Sequence, residues 1–164
     1  MATRTEQILL VSDVASDFNE LSLNRFDLEV SEQDTVAGII NGIEMCGYVC
    51  THLQDPRELS ELSNANPKCV VFSIWSGQKN RNRRAIVPSI CEAHDIKYIG
   101  ADPYAAMITG DKELSKSVCS EFGIQSPAGI LIRSVDQSAR AALLEFPIVV
   151  KPLMEGGSIW ITQE

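Results

Sequence analysis

Over the first hundred positions, apolar residues alternate between short unbroken runs and helical stripes. Ile8-Leu-Leu-Val11 is continuous and apolar, the pattern of a strand covered on both faces. It predicts a first strand over 7–12. Residues 12–31 show no period and read as a long loop. Asp34 or Thr35 is positioned to cap a helix. Val36, Ile39, Ile40 and Ile43 then follow at helical spacing, and Gly47 is a fitting stop. Tyr48 to Leu53 predicts a second strand, and 56–62 is weakly helical. Cys69-Val-Val-Phe-Ser-Ile-Trp75 predicts a third strand. Ile86, Val87, Ile90 and Cys91 give the next helical stripe, with Pro88 tolerable only near its start. Lys97 to Ile99 is a short fourth strand. Strands alternating with helices predict an α/β fold: a parallel sheet with right-handed crossovers, a small Rossmann-like unit complete by Gly100.

The pattern changes after Gly100. Pro103 to Ile108 predicts a short helix ending at Gly110. Asp111 opens another, with Leu114, Val118 and Phe122 as its apolar stripe. Lys112 and Lys116 project away from that stripe, which suits either solvated side chains or a shared anionic partner. Gly123 ends the helix, and Ala128 to Ile132 predicts a strand. Ser134-Val-Asp-Gln137 fits a capping box. The helix after it would turn Ala139, Ala142, Leu143 and Phe146 inward. Ile148 to Val150 predicts a buried strand, and Gly156-Gly157 turns the chain toward Ser158-Ile-Trp-Ile161. This second region reads as α-β-α-β-β.

Composition narrows the function. The chain has 164 residues, 45% of them hydrophobic and 22% charged, and a net charge of −8. That balance suits a soluble globular protein of one or two small domains. It argues against nucleic acid and against an anionic membrane as partners. No apolar run approaches the roughly 20 residues of a membrane-spanning helix, and the N-terminus lacks a secretion signal; a cytoplasmic location is expected. Five cysteines without a Cys-x-x-Cys pair, and two histidines, provide neither a disulfide framework nor a zinc site. The absence of Gly-x-Gly-x-x-Gly after the first strand, where Ser12-Asp13 places a carboxylate instead, counts against a dinucleotide site.

Two stretches carry candidate chemistry. Lys151, Pro152 and then Glu155-Gly-Gly-Ser158 form a lysine followed by a glycine loop. Paired glycines let backbone N–H groups approach phosphate oxygens, although an ordinary Gly-Gly turn has the same sequence. The second stretch, Trp75-Ser76-Gly77 followed by Lys79, Arg81, Arg83 and Arg84, is the one basic cluster of an acidic chain. It follows a strand at the edge where open α/β sheets bind ligands. A carboxylate or phosphate site and a solvated loop both fit.

Tyr98-Ile-Gly100, Asp111-Lys112 with Lys116, Gly123-Ile-Gln-Ser-Pro127, Val150-Lys-Pro152 and Glu155-Gly-Gly-Ser158 occur in order. In this ordered set the sequence resembles the ATP-grasp superfamily, and within it the D-alanine–D-alanine ligase-like carboxylate–amine ligases. The likeness covers about 97–162. The first part matches only in its strand–helix order. The resemblance implies a pre-ATP-grasp domain over 1–101 and a small α+β central subdomain over 102–164. It implies ATP as cofactor, with Lys112 and Lys151 on the phosphates. Glu155, Gly156, Gly157 and Ser158 would be the loop closing over them. The implied reaction phosphorylates a carboxylate and lets an amine attack the acyl phosphate, so the partners are small-molecule carboxylates and amines.

The sequence departs from the family where Gly157-Ser158 replaces the usual pair of serines, and where Trp75-Ser-Gly77 with its arginines replaces His-Gly and an acidic loop. The second change puts D-alanine in doubt. It suggests another, anionic carboxylate, with Trp75, Ser76, Gly77, Arg81, Arg83 and Arg84 as the candidate substrate site. The family's adenine hinge, magnesium ligands and catalytic arginine belong to a half that this sequence does not contain. The expectation is therefore an N-terminal fragment, a truncated polypeptide or one part of a split enzyme. Such a chain would have no catalytic or metal-ligating residue of its own and would be inactive alone. The alternative is a non-catalytic ATP-grasp-like binding module. Trp160 and Ile161 would be left uncovered, favouring disorder of the last residues or a homo-oligomer.

Overall fold

The structure, a computed structural model, describes residues 7–14, 31–77 and 81–156. The chain divides into two compact units, Met1–Met107 and Ile108–Glu164.

The first unit is a four-stranded parallel sheet: β1 (Gln7–Val11), β2 (Val49–Leu53), β3 (Val70–Ser73) and β4 (Lys97–Ile99). Their order is β2-β1-β3-β4. In register, Leu10 lies opposite His52 on one side and Phe72 on the other. Leu9, Leu10 and Val11 are all fully buried, as the unbroken run requires of a central strand. Leu9 and Val11 point into one apolar layer with Val71, Leu59, Val87 and Cys91. Leu10 points into the other with Val14, Val36, Ile39, Ile40 and Phe72. Helix α1 (Gln33–Met45) covers the second face. Helices α2 (Leu59–Ala65) and α3 (Ile86–Ala93) cover the first. The α/β sheet expected from the sequence is therefore present, with strand ends within two residues of the expected ones.

One local expectation fails in this unit. The residue capping α1 is Glu32, with no side-chain cap bond. Asp34 already lies inside the first turn, where its charge acts on the positive helix end rather than on a cap. The stop is as expected, for Gly47 adopts φ +87°. Most of the long loop lies outside the described residues; Val14 and Ser31 at its two ends form a parallel bridge.

Helix α4 (Pro103–Gly110) spans the division between the units. Asp102 starts it, accepting from the Ala105 amide at 2.7 Å, with Pro103 fitting the first helical position. The second unit contains α5 (Lys112–Glu121) and a 3-10 segment, Val135–Leu143. Its predicted strands do not form: 128–132 and 148–150 join no ladder. Val149 and Val150 are 65% and 80% exposed, against the burial expected of them. Around both segments, lysine side chains take carbonyls of the kind that a ladder would have used. The second half of the hairpin, 158–161, lies outside the described residues.

The capping box is also incomplete. Ser134 makes no side-chain cap, and Gln137 Oε1 accepts from the Arg133 amide at 3.0 Å instead. Ala139, Ala142, Leu143 and Phe146 are all exposed rather than inward-facing. A short helix draws its stability from a packed apolar face. With that face uncovered, the segment adopts the tighter 3-10 form. On α5 the stripe is also uncovered: Phe122 is 77% exposed.

Candidate functional site

In the order β2-β1-β3-β4 the chain leaves β1 in one direction and β3 in the other. The gap between these two strands is the topological switch point, and a crevice opens at their carboxyl ends in folds of this kind. The structure places Ile74 to Gly77 there, beside Ser12 and Asp13. The two loops are tied together. Asp13, 5% exposed, accepts from the Ser76 amide at 3.2 Å and the Gly77 amide at 2.8 Å. Behind it, Ser12 Oγ lies 2.7 Å from His52 Nε2.

Gly77 sits at φ +66°. A Cβ there would lie 2.6 Å from two ring carbons of Trp75 and 3.0 Å from Arg83 Cβ. Glycine is thus required twice, by the backbone conformation and by the tryptophan over it. Trp75 also packs against the core, so this residue is in part structural. The arginines differ among themselves. Arg81 is exposed, Arg84 is half-buried and Arg83 is only 6% exposed. A purely solvated loop does not describe Arg83; Lys79 lies outside the described residues. The structure therefore brings Trp75, Ser76, Gly77 and Arg83 together at the switch point. Asp13, which organises them, was visible in the sequence only as a carboxylate after the first strand. Its signal was position: an acid directly after a central strand, facing a glycine directly after its neighbour.

The second cluster belongs to the second unit and starts with the cap of α5. Asp111, 8% exposed, accepts from the amides of Glu113 and Leu114, both at 3.0 Å. The Lys112 amide donates to Leu153 O at 3.3 Å. These bonds satisfy the first donors of the helix, which every helix start leaves without an intrahelical partner. The Lys112 ammonium then donates to Pro152 O at 2.8 Å, Leu153 O at 3.2 Å and Glu155 O at 2.5 Å. One turn on, Lys116 Nζ donates to Pro127 O at 2.8 Å. Neither lysine is the solvated side chain allowed for in the sequence. Each holds a proline-containing segment that joins no ladder. Lys151 is exposed, and Glu155 and Gly156 are half-buried; Gly157 and Ser158 lie outside the described residues.

Two resolved pKa shifts fall on β4 and α3 of the first unit. Tyr98 donates to Glu92 Oε1 at 2.9 Å, which pushes the phenol up to about 12. Burial pushes the Cys91 thiol up to about 11. Among the described residues no group of three or more His, Cys, Asp or Glu could hold a metal ion. No helix among them is long and apolar enough to cross a membrane. The cationic side chains suit a polyphosphate chemically, whereas the described residues offer no ligand set for magnesium.

No family model matches the chain. Curated relatives do. The D-alanine–D-alanine ligase of Syntrophotalea carbinolica is 28% identical over 128 residues, 78% of this chain and 41% of the ligase. That of Lacticaseibacillus casei is 30% identical over 134 residues, 81% of this chain and 35% of the ligase. Both matches are longer than 97–162, so the likeness extends into the Rossmann-like unit. Among solved structures, the D-alanine–D-alanine ligase of Bacillus anthracis superposes with a TM-score of 0.59 at 21% identity, over 93% of this chain and 47% of that one. The same ligase complexed with ATP gives 0.57 at 19%, over 98% and 50%. The chain spans less than half the length of the curated relatives it matches. In sequence and in fold, this chain is a relative of the D-alanine–D-alanine ligases of the ATP-grasp superfamily, matched over part of their length.

Proposed function

We propose that the chain is part of an ATP-dependent carboxylate–amine ligase. It comprises a pre-ATP-grasp domain over 1–101 and an ATP-grasp central subdomain over 102–164. The observation that carries the reading is the relationship to D-alanine–D-alanine ligases, one of them solved with ATP. In the reaction, a carboxylate oxygen attacks the γ-phosphorus and ADP leaves. An amine nitrogen then attacks the acyl carbon, and inorganic phosphate leaves with loss of the amine proton. Lys151 and Lys112 neutralise phosphate charge, and the loop Glu155, Gly156, Gly157 and Ser158 excludes water from the acyl phosphate. The turn Trp75-Ser76-Gly77 with Arg81, Arg83 and Arg84 receives an anionic carboxylate other than D-alanine. The substrates are small molecules, and the protein acts in the cytoplasm as a homo-oligomer. Magnesium binding and catalysis belong to the remainder of the ligase length.

The test is an ATP titration by calorimetry, with phosphate release measured in parallel against a panel of amino acids. Wild type binds ATP, and Lys151→Met weakens it at least about tenfold by removing a charge-assisted contact. Arg81→Ala with Arg84→Ala leaves ATP affinity unchanged. No ATP binding by wild type sinks the ligase reading. Phosphate release by the 164-residue chain alone overturns the assignment of catalysis to the remainder. ATP binding that never leads to turnover, even with a complementing ligase segment, points to the non-catalytic module.

A further inference from the structure

The ATP-grasp resemblance casts Lys112 as a phosphate contact, yet the structure shows it fully engaged with the protein. An ammonium has three donors. Those of Lys112 meet three backbone carbonyls, of Pro152, Leu153 and Glu155. Its own amide adds a fourth bond, to Leu153 O. One residue at the first position of α5 thus holds three of the four residues 152–155, which lead from Lys151 into the glycine loop. The anchor is itself fixed, because Asp111 caps the helix through two amides and Ser115 Oγ donates to Ile108 O at 2.7 Å. The held segment has no ladder to position it: 148–156 carries no strand, and Pro152 lacks an amide to donate.

We propose that Lys112 is a positioning residue, whose ammonium sets the course of residues 152–155 before any nucleotide arrives. The role deepens the ligase reading and rests on it for its purpose, since the segment so placed is the approach to the phosphate loop. The ammonium is a tripod, and three converging carbonyls fit it. The planar guanidinium of arginine cannot reproduce that arrangement and restores only part of it. Methionine keeps the length and the apolar stem but donates nothing.

The test runs without nucleotide, so its outcome is separate from that of the ATP titration. Cleavage by a glutamate-specific protease after Glu155 reads the order of the segment, and cleavage after Glu121 and Glu145 reads the rest of the unit. Lys112→Met should speed cleavage at Glu155 about tenfold, with Glu121 and Glu145 changing less than about twofold, as expected of a local opening rather than a global one. Lys112→Arg should fall between wild type and Lys112→Met. Lys151→Met, whose side chain is exposed, should leave the rate at Glu155 unchanged. An unchanged rate in Lys112→Met overturns the proposal. So does equal acceleration at all three sites, which would make Lys112 a support of the whole unit rather than of this segment. If wild type fails to bind ATP while the protease pattern holds, the ligase reading falls and the positioning role stands.

Discussion

Asp13 is the residue on which the switch-point turn depends most directly, and Asp13→Ala is the sharpest perturbation of it. The carboxylate is almost wholly buried and takes two amides, from Ser76 at 3.2 Å and Gly77 at 2.8 Å. A hydrogen bond to a charged group contributes about 1.5–3 kcal/mol. The two share one carboxylate, so the values do not add in full. Alanine also removes the cost of burying a charge, which offsets part of the loss. The expected destabilisation is therefore roughly 2–3 kcal/mol, a large fraction of the about 5–15 kcal/mol that stabilises a typical domain. Asp13→Asn retains one acceptor oxygen and turns an NH2 toward the second amide, so it should cost about half as much. Urea unfolding followed by far-UV circular dichroism measures this. The midpoint should fall in the order wild type, Asn, Ala, with the slope unchanged. A shift below about 0.5 kcal/mol for Asp13→Ala, the size of an ordinary surface change, would refute the idea that the carboxylate ties the two loops.

Gly77→Ala should destabilise by roughly 2–4 kcal/mol, since the left-handed conformation costs about 1–2 kcal/mol and the clash with the Trp75 ring and Arg83 Cβ adds an overpacking cost. Combined with Asp13→Ala it should cost clearly less than the sum, because both changes act on one turn; additivity in the urea midpoints would separate them. Cys91 is fully buried and its thiol is pushed up to about 11, chiefly by burial, so iodoacetamide at about pH 8, near the ordinary thiol pKa, should label exposed Cys46 well before Cys91. Because the folded-state value lies above the ordinary thiol value of 9.0, the folded state keeps its proton longer. Stability is then fully present below about pH 9 and falls by about 1.4 kcal/mol per unit from there to about pH 11; a flat urea midpoint across that window would exclude the linkage.

The Rossmann-like unit was largely legible in the sequence because its signals were redundant. Ile8-Leu-Leu-Val11 can be buried on both faces only in the middle of a sheet, and each helix stripe supplied a matching face. Val36, Ile39 and Ile40 met Leu10 and Phe72 as the spacing required. In the second unit the signals were single. Ala128 to Ile132 and Ile148 to Val150 are β-prone, but a strand exists only if a neighbour pairs with it, and no propensity specifies that neighbour. The helix expected after Ser134 forms only as a 3-10 segment, its apolar side exposed among the described residues. Candidate residues followed the same division. Trp75, Gly77 and Arg83 came together because the end of a buried strand fixes the loop that follows. The partners of Lys112 and Lys116 were not legible, since carbonyls 11 to 43 residues away leave no trace in the local pattern.

The two units therefore satisfy their backbones differently, and this bears on how the lysines act. In the first unit the strands pair with one another, and the loop after β3 is held by a carboxylate. In the second, ammonium groups take the place of neighbouring strands. A lysine so used is available to a phosphate only by exchange. The exchange keeps the number of hydrogen bonds but replaces a neutral carbonyl with an anionic oxygen, which adds a Coulomb attraction to bonds whose donor is already charged. On the proposed ligase reading, a triphosphate reaching Lys112 would exchange with the carbonyls of Pro152, Leu153 and Glu155 rather than meet an unengaged ammonium, so the contacts that hold the segment without nucleotide would not exclude a phosphate role for the same side chain.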